Sequence, residues 1–285
     1  MASVLITGAS KGIGMATALV LGRAGHTVYA TMRDPHRSPQ LAEIAEGERL
    51  PIEVSAMDVD SDTSVSESID AIHRSQGPLD VLVNNAGIER RGSVEELNIS
   101  EFRAVMETNY FGALRCIQAV LPAMRGRRSG CIINITSVGG RVSSPPLTVY
   151  SASKFALEAL SEGLAAEAKM FNVRVAIVQP GVINTDMARR VREPGPHSIY
   201  PHARRMAALF AASLQHPTAP EVVGAKIRDI IESGTWKLRH TAGPDAEGYL
   251  QWRASMTDEQ WIDLNACDDE TWYRDMERTF GMSLR

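Results

Sequence analysis

Tyr150 and Lys154 stand four residues apart in the run TVYSASKFALEAL, residues 148–160. The run is rich in helix formers, and on a helix positions i and i+4 share one face. A free phenol, with a pKa of about 10, is too weakly ionised to act as a base near neutrality. An ammonium beside it favours the phenolate and is expected to lower that value. Tyr150 is then a candidate to exchange a proton with a substrate oxygen. Ser151, Ala152 and Ser153 are small and leave room beside the pair. Upstream, Ser137 ends the β-rich run CIINITS. Its hydroxyl could hold the same oxygen.

A second group of residues is suited to an anion. The apolar run SVLIT (3–7) leads into TGASKGIG (7–14). Gly8, Gly12 and Gly14 allow a sharp turn and close approach of a ligand to the backbone. A helix opening there would aim free N–H groups and the positive end of its dipole at the turn. The spacing is G-x-x-x-G-x-G, with Ser10, Lys11 and Ile13 between the glycines. At the end of the next apolar run, TVYAT (27–31), an acidic side chain would select the free ribose of NAD. Met32 stands there and Arg33 follows. A guanidinium suits a phosphate, and Lys11 could add a second positive charge. A solvated surface role is the alternative for Arg33.

These groups need elements to carry them. PIEVSAM (51–57), LDVLVNN (79–85), GCIINIT (130–136) and VRVAIVQP (173–180) continue the series of apolar runs. Helical patterns fill the gaps, the longest near 100–125 and 150–171. Strands with little alternation, separated by helices, predict a parallel sheet covered on both faces. Right-handed crossovers make it a doubly wound α/β sheet, which binds ligands at the C-terminal ends of its strands.

The totals exclude little but point the same way. The chain has 285 residues, 44% hydrophobic and 22% charged, with a net charge of −4. Nothing in that balance suggests nucleic acid or a membrane surface. The three cysteines, Cys116, Cys131 and Cys267, show neither metal spacing nor a disulfide framework. The N-terminus MASVLITGAS lacks a basic region followed by a long apolar stretch, so no signal peptide is expected. A cytoplasmic location is the resulting expectation.

The chain resembles the short-chain dehydrogenase/reductase family, in its compact one-domain branch. The matching pieces are TGASKGIG, Asp58–Val59, NNAG (84–87), Asn109, Ser137, YSASK and PGVINT (180–185), in the family's order over roughly residues 1–190. The resemblance implies a Rossmann-like sheet of about seven strands. It implies Asn109, Ser137, Tyr150 and Lys154 as the catalytic set, with Lys154 also touching the nicotinamide ribose. It implies cofactor contacts from the glycine loop and from Asp58, Val59, Asn85, Ala86, Gly87, Pro180, Gly181, Val182 and Thr185. Lys11 and Arg33 match the basic pair of NADP-preferring members, so NADP(H) is expected in preference to NAD. The resemblance further implies a homodimer or homotetramer acting on a small alcohol or carbonyl, with no metal. Lipophilic hydroxysteroid- or retinol-like substrates are the leading expectation. Small ketones, 3-oxoacyl compounds and a non-catalytic NADP-sensing role are the alternatives.

Two regions fall outside that pattern. Residues 186–218 read as a substrate loop; the segment from Thr185 to Pro220 holds five prolines and the basic cluster Arg189, Arg190, Arg192, His197, Arg204 and Arg205. The cluster is either a solvated face or a reader of an anionic substrate. Met187, Met206, Phe210 and Tyr200 are candidates for an apolar pocket there. His26, His36 and His73 read as solvated rather than catalytic. The catalytic domain is expected to end near 243. The acidic segment 244–285 carries Trp252, Trp261 and Trp272. Thr257 with Gln260 predicts a capping box, and Trp272 with Met276 one helix face. The segment is expected to fold as short helices over the basic loop, against a partner subunit or on a passive face.

Overall fold

The computed structural model describes residues 1–193 and 198–284; His197 lies outside the described residues. The order along the chain is β1 (Ser3–Thr7), α1 (Gly12–Arg23), β2 (Thr27–Met32), α2 (Gln40–Glu48), β3 (Ile52–Ala56), α3 (Asp62–Gln76), β4 (Val81–Asn84) and α4 (Ile99–Met106). After a π turn over Glu107–Phe111 come α5 (Gly112–Arg127), β5 (Gly130–Ile135), α6 (Thr148–Lys169), β6 (Val173–Pro180), α7 (Asp186–Val191) and α8 (His202–Ser213). The chain closes with α9 (Glu221–Ser233), β7 (Arg239–Ala242), α10 (Ala246–Ala254), α11 (Asp258–Ala266) and α12 (Asp269–Phe280).

The seven strands form one sheet in the order β3-β2-β1-β4-β5-β6-β7, and every pairing is parallel. This is the doubly wound sheet that the sequence predicts. Side chains alternate across it. Val4 and Ile6 pack with Leu19 and Leu21 of α1, Leu41 of α2 and Val223 and Ile227 of α9. Leu5, Leu82 and Ile132 face the other way, toward α3, α5 and α6. Helices on both faces explain why the central strands read as unbroken apolar runs. The order reverses at β1, whose neighbours are β2 and β4, and such a reversal opens a ligand crevice beyond the C-terminal strand ends.

Three details differ from the sequence expectation. The helix near 100–125 is two helices joined by the π turn that carries Asn109. The seventh strand, RHTA, is a short polar edge strand. His26 is buried, 5% exposed, because its Nδ1 accepts the Ala2 N–H (3.2 Å) and its Nε2 faces Glu232 (3.4 Å). His36 is exposed and His73 half-buried.

A third apolar cluster lies away from the sheet. Val191 of α7 and Met206, Leu209 and Ala212 of α8 pack with Tyr249 of α10 and Trp272 and Met276 of α12. Thr257 and Gln260 open α11 with a reciprocal capping box. Arg205 is 2% exposed within this region. Its guanidinium donates to Asp269 Oδ1 (2.8 Å) and to the carbonyls of Asn265 (3.1 Å) and Cys267 (2.6 Å).

Candidate active site

Gly8 and Gly12 adopt φ of +67° and +58°, the left-handed region that an L side chain rarely enters. A Cβ on Gly8 would also come within 2.7 Å of Ala86 Cα, and one on Gly14 would collide with the Gly8 carbonyl. These residues pin β1 against the segment after β4. Asn85 tightens the joint, donating from Nδ2 to the carbonyls of Thr7 (2.9 Å) and Gly8 (3.0 Å). The Thr7 hydroxyl accepts from the N–H groups of Asn85 and Ala86, both at 3.0 Å. The loop delivers α1 with Lys11 at its N-cap and no side-chain cap. Its first-turn N–H groups therefore have no side-chain partner, as an anion site requires.

The loop borders a cleft of about 1180 Å³ at the C-terminal end of the sheet. Gly8, Ser10, Lys11, Gly12, Ile13, Arg33, Asp58, Val59, Asn85, Ala86, Gly87, Pro180, Gly181, Val182 and Thr185 all line it, together with Ser137, Tyr150 and Lys154. Gly14 and Asn109 are the sequence-predicted residues that stand behind its wall. Arg33 is exposed and makes no hydrogen bond or ion pair among the described residues. Lys11 is already engaged: its Nζ pairs with Asp186 Oδ2 at 2.9 Å and holds that carboxyl below the usual range.

The reactive groups converge at one side. The α6 helix presents Tyr150 and Lys154, with Lys154 Nζ 5.7 Å from the Tyr150 ring centroid. Lys154 Nζ donates to the Ile135 carbonyl (2.9 Å), which fixes it at the end of β5. Ser137 follows that strand and accepts the Gly139 N–H (3.0 Å). Asn109, 1% exposed, donates to the Ile88 carbonyl and to Ser153 Oγ, both at 2.9 Å. Its Oδ1 accepts the Ile88 N–H (2.8 Å), and Ser153 in turn donates to the Tyr150 carbonyl (2.7 Å). Asn109 thus braces α6 against the wall of the cleft.

The electrostatics correct one expectation. Burial pushes the Tyr150 phenol up to about 12; a hydrogen bond with Ser137 offsets part of that, and the Glu89 carboxylate adds to it. Burial pushes Lys154 down to about 8. Desolvation penalises the charged form of each group, and here it is the leading cause for both. Tyr150 is a protonated phenol at neutral pH, not a lowered one.

The basic cluster is largely spent within the protein. Arg204 and Arg205 bind Asp269, Arg189 binds Asn184 and Asp186, and Arg190 lies 3.6 Å from Glu89. Met187, Met206 and Phe210 line the cleft. Tyr200 does not; its hydroxyl donates to Glu95 (2.8 Å). Sequence reasoning missed three residues. Glu89 lines the cleft near Tyr150. Asp245 accepts the Val182 N–H through Oδ2 (2.8 Å), and its bulk is the reason Gly181 has no room for a Cβ. Tyr249 enters the cleft from α10. None sits in a spaced motif; only the i, i+4 relation of Asp245 and Tyr249 hinted at a shared face.

The sequence model of short chain dehydrogenases matches residues 2–195. The 3-ketodihydrosphingosine reductase of Bacteroides thetaiotaomicron is 37% identical over 245 residues, 85% of this chain and 87% of that protein. Human retinol dehydrogenase 8 is 36% identical over 239 residues, 81% of this chain and 76% of that protein. The crystal structure of a short-chain dehydrogenase from Streptomyces avermitilis superposes with a TM-score of 0.78 at 32% identity, covering 97% of both chains. That coverage takes in most of the C-terminal helices. Motifs, sheet order and relatives agree: the chain belongs to the short-chain dehydrogenase/reductase family.

Proposed function

We propose that the protein is an NADP(H)-dependent reductase of lipophilic ketones, working reversibly on the corresponding secondary alcohols. The observation that carries this reading is the meeting of Ser137, Tyr150 and Lys154 in the same cleft as an uncapped helix N-terminus. The glycine loop and the first turn of α1 would hold the pyrophosphate. Arg33, exposed and without a hydrogen bond or ion pair among the described residues, would take the 2′-phosphate. When bound, the nicotinamide supplies the hydride.

The residues of this chain handle the proton. Tyr150 donates its phenolic proton to the substrate oxygen, while the Ser137 hydroxyl hydrogen-bonds that oxygen and holds it in reach. A phenol near 12 is protonated at pH 7 and so carries the proton that reduction of a ketone requires. Lys154, pinned to the Ile135 carbonyl, offers positive charge to the phenolate left behind. Asn109 keeps Tyr150 in place through Ser153. A lipophilic substrate is supported by the apolar wall of Val142, Leu147, Met206, Leu209 and Phe210. It is also supported by the relatives named for ketodihydrosphingosine and retinol. Exposed Phe111 and Phe155, 43% and 42% accessible on the α5–α6 side, support a dimeric or tetrameric assembly.

The test is the fluorescence of NADPH with the protein and a panel of aliphatic, cyclic and steroidal ketones. Loss of fluorescence with apolar ketones is the expected result. Tight NADPH binding with no oxidation by any ketone would replace this function with a nucleotide-sensing one.

A further inference from the structure

Tyr249 is 8% exposed, yet its hydroxyl has no hydrogen-bond partner. Its ring is wedged between Phe280, with centroids 4.7 Å apart, and Trp252, at 6.3 Å. Ser213 lies nearby and offsets a small part of the rise in the phenol's value, but it is not within hydrogen-bond reach of that hydroxyl and directs its own to the Met282 sulfur at 3.9 Å. Burial, and then the charge of Asp245 one turn earlier, keep the phenol above its ordinary value. It is therefore neutral and able both to donate and to accept. Asp245 uses Oδ2 on the Val182 N–H and leaves its other oxygen unpartnered.

Leaving a buried hydroxyl unpaired costs about 1–3 kcal/mol, and such groups are rare. Phenylalanine would fill the same space without that cost. The hydroxyl belongs to a ring that lines the ligand cleft beside Met206, Leu209 and Phe210, and α10 packs against the turn that follows Ser137. In a pocket with apolar walls, a few convergent polar groups set ligand orientation. Ser137 and Tyr150 are occupied by the reacting oxygen. Tyr249 is left for something else.

We propose that Tyr249 is a second recognition point for substrate: its hydroxyl hydrogen-bonds an oxygen or nitrogen function other than the reacting carbonyl. The substrate class is then a lipophilic ketone or secondary alcohol that carries a further hydroxyl, carbonyl or amine. This rests on the reductase function proposed above. It also gives the C-terminal helices, which lie beyond the matched family region, a part in substrate choice. A ligand lacking the second group leaves the Tyr249 hydroxyl unpaired, and a site built to bond a polar group rejects such an analogue.

The experiment compares the parent with Tyr249→Phe on matched ketones in the presence of NADPH. The ketones are alkan-2-ones of eight to sixteen carbons and their analogues with a hydroxyl at successive positions. The parent is expected to favour the best hydroxylated member over its plain partner by roughly 5- to 100-fold in kcat/KM. In Tyr249→Phe the preference falls to about one, through loss of the hydroxylated substrate alone. The thermal midpoint of Tyr249→Phe is expected to equal or exceed that of the parent. A preference that survives the substitution, or is absent from the parent while plain ketones turn over, overturns the proposal. A midpoint lowered by several degrees also overturns it, because the hydroxyl would then be bonded within the protein. Turnover of no ketone by the parent strikes the reductase function itself, and this inference with it.

Discussion

Arg205→Ala would remove a buried cation that joins α8 to both α11 and α12. The guanidinium is 2% exposed and serves two helix ends at once. It donates to the carbonyls of Asn265 and Cys267, at the C-terminus of α11, and to the Asp269 carboxylate at the start of α12. It also lies 5.6 Å from the centre of the Trp272 ring. Carbonyls at a helix C-terminus have no partner in their own helix, so truncation strands that of Cys267, while the Asn265 carbonyl keeps His202 Nε2 at 3.0 Å. Breaking a buried ion pair by removing one partner costs about 3–5 kcal/mol. Asp269 is 42% exposed and can regain water, so about 2–3 kcal/mol is the better figure. The tail joins the body chiefly through the third apolar cluster, not through the sheet. The loss should therefore fall on docking of α11 and α12, raising their undocked fraction by about 30- to 150-fold. Limited trypsin digestion followed by mass spectrometry reads this directly: cleavage within 255–284 should accelerate by that factor, with residues 1–243 protected as before. Michaelis constants for ketone should rise as well, since Tyr249 borders the cleft. Unchanged cleavage rates would refute the reasoning. So would whole-chain digestion with no separate release of the tail, because the segment would then be an integral part of the domain.

Arg33→Ala should erase most of a preference for NADPH over NADH of at least about tenfold, since a hydrogen bond to a charged group is worth about 1.5–3 kcal/mol; equal affinity of the parent for both cofactors, by fluorescence titration, would show Arg33 to be a solvated side chain. Asp186→Asn should free Lys11 and tighten NADPH binding by up to about fivefold, because an exposed pair is worth about 0–1 kcal/mol; weaker binding would mean that the pair holds the site in shape. Lys154→Met separates charge from packing by pH. Burial lowers the folded-state value to about 8 from 10.5, so between those limits the unfolded chain binds the extra proton. The parent should gain about 3 kcal/mol relative to the variant as pH rises from 8 to 10.5, with no relative change below. A difference in unfolding free energy that stays flat across that window would refute a depressed Lys154.

The sheet was legible because its central strands are buried on both faces, which writes runs such as SVLIT and VRVAIVQP into the chain. The edge strand RHTA was not, since it is short, polar and carries Arg239, which reaches Glu158 and Glu162 on α6. The π turn at Asn109 leaves no mark in periodicity, because one extra residue within a helix shifts the pattern less than the scatter of apolar positions. Tyr150 and Lys154 stood out as types at helical spacing and Ser137 as a hydroxyl at a strand end, whereas Asn109 came only from the family resemblance; all but Asn109 reach the cleft. What spacing alone could not give was the electrostatic balance at Tyr150, where depth of burial decides the sign. Arg205 was misread as loop charge, although Leu209 and Ala212 follow it at the four- and seven-residue intervals of a buried helix face. Asp245 and Tyr249 were missed because each is a single residue whose partner lies far away in sequence.

The central claim is that Tyr150 delivers the proton in an NADPH-dependent ketone reduction. It is tested most directly by single-turnover oxidation of bound NADPH in the parent and in Tyr150→Phe, with the same ketone at saturation. The substitution removes the exchangeable proton and leaves ring, fold and cofactor contacts in place. General acid–base catalysis contributes about 10²- to 10⁴-fold, so the rate should fall by that factor while the dissociation constant for NADPH stays within about twofold. A variant rate within a few-fold of the parent, at unchanged cofactor affinity, would contradict the account.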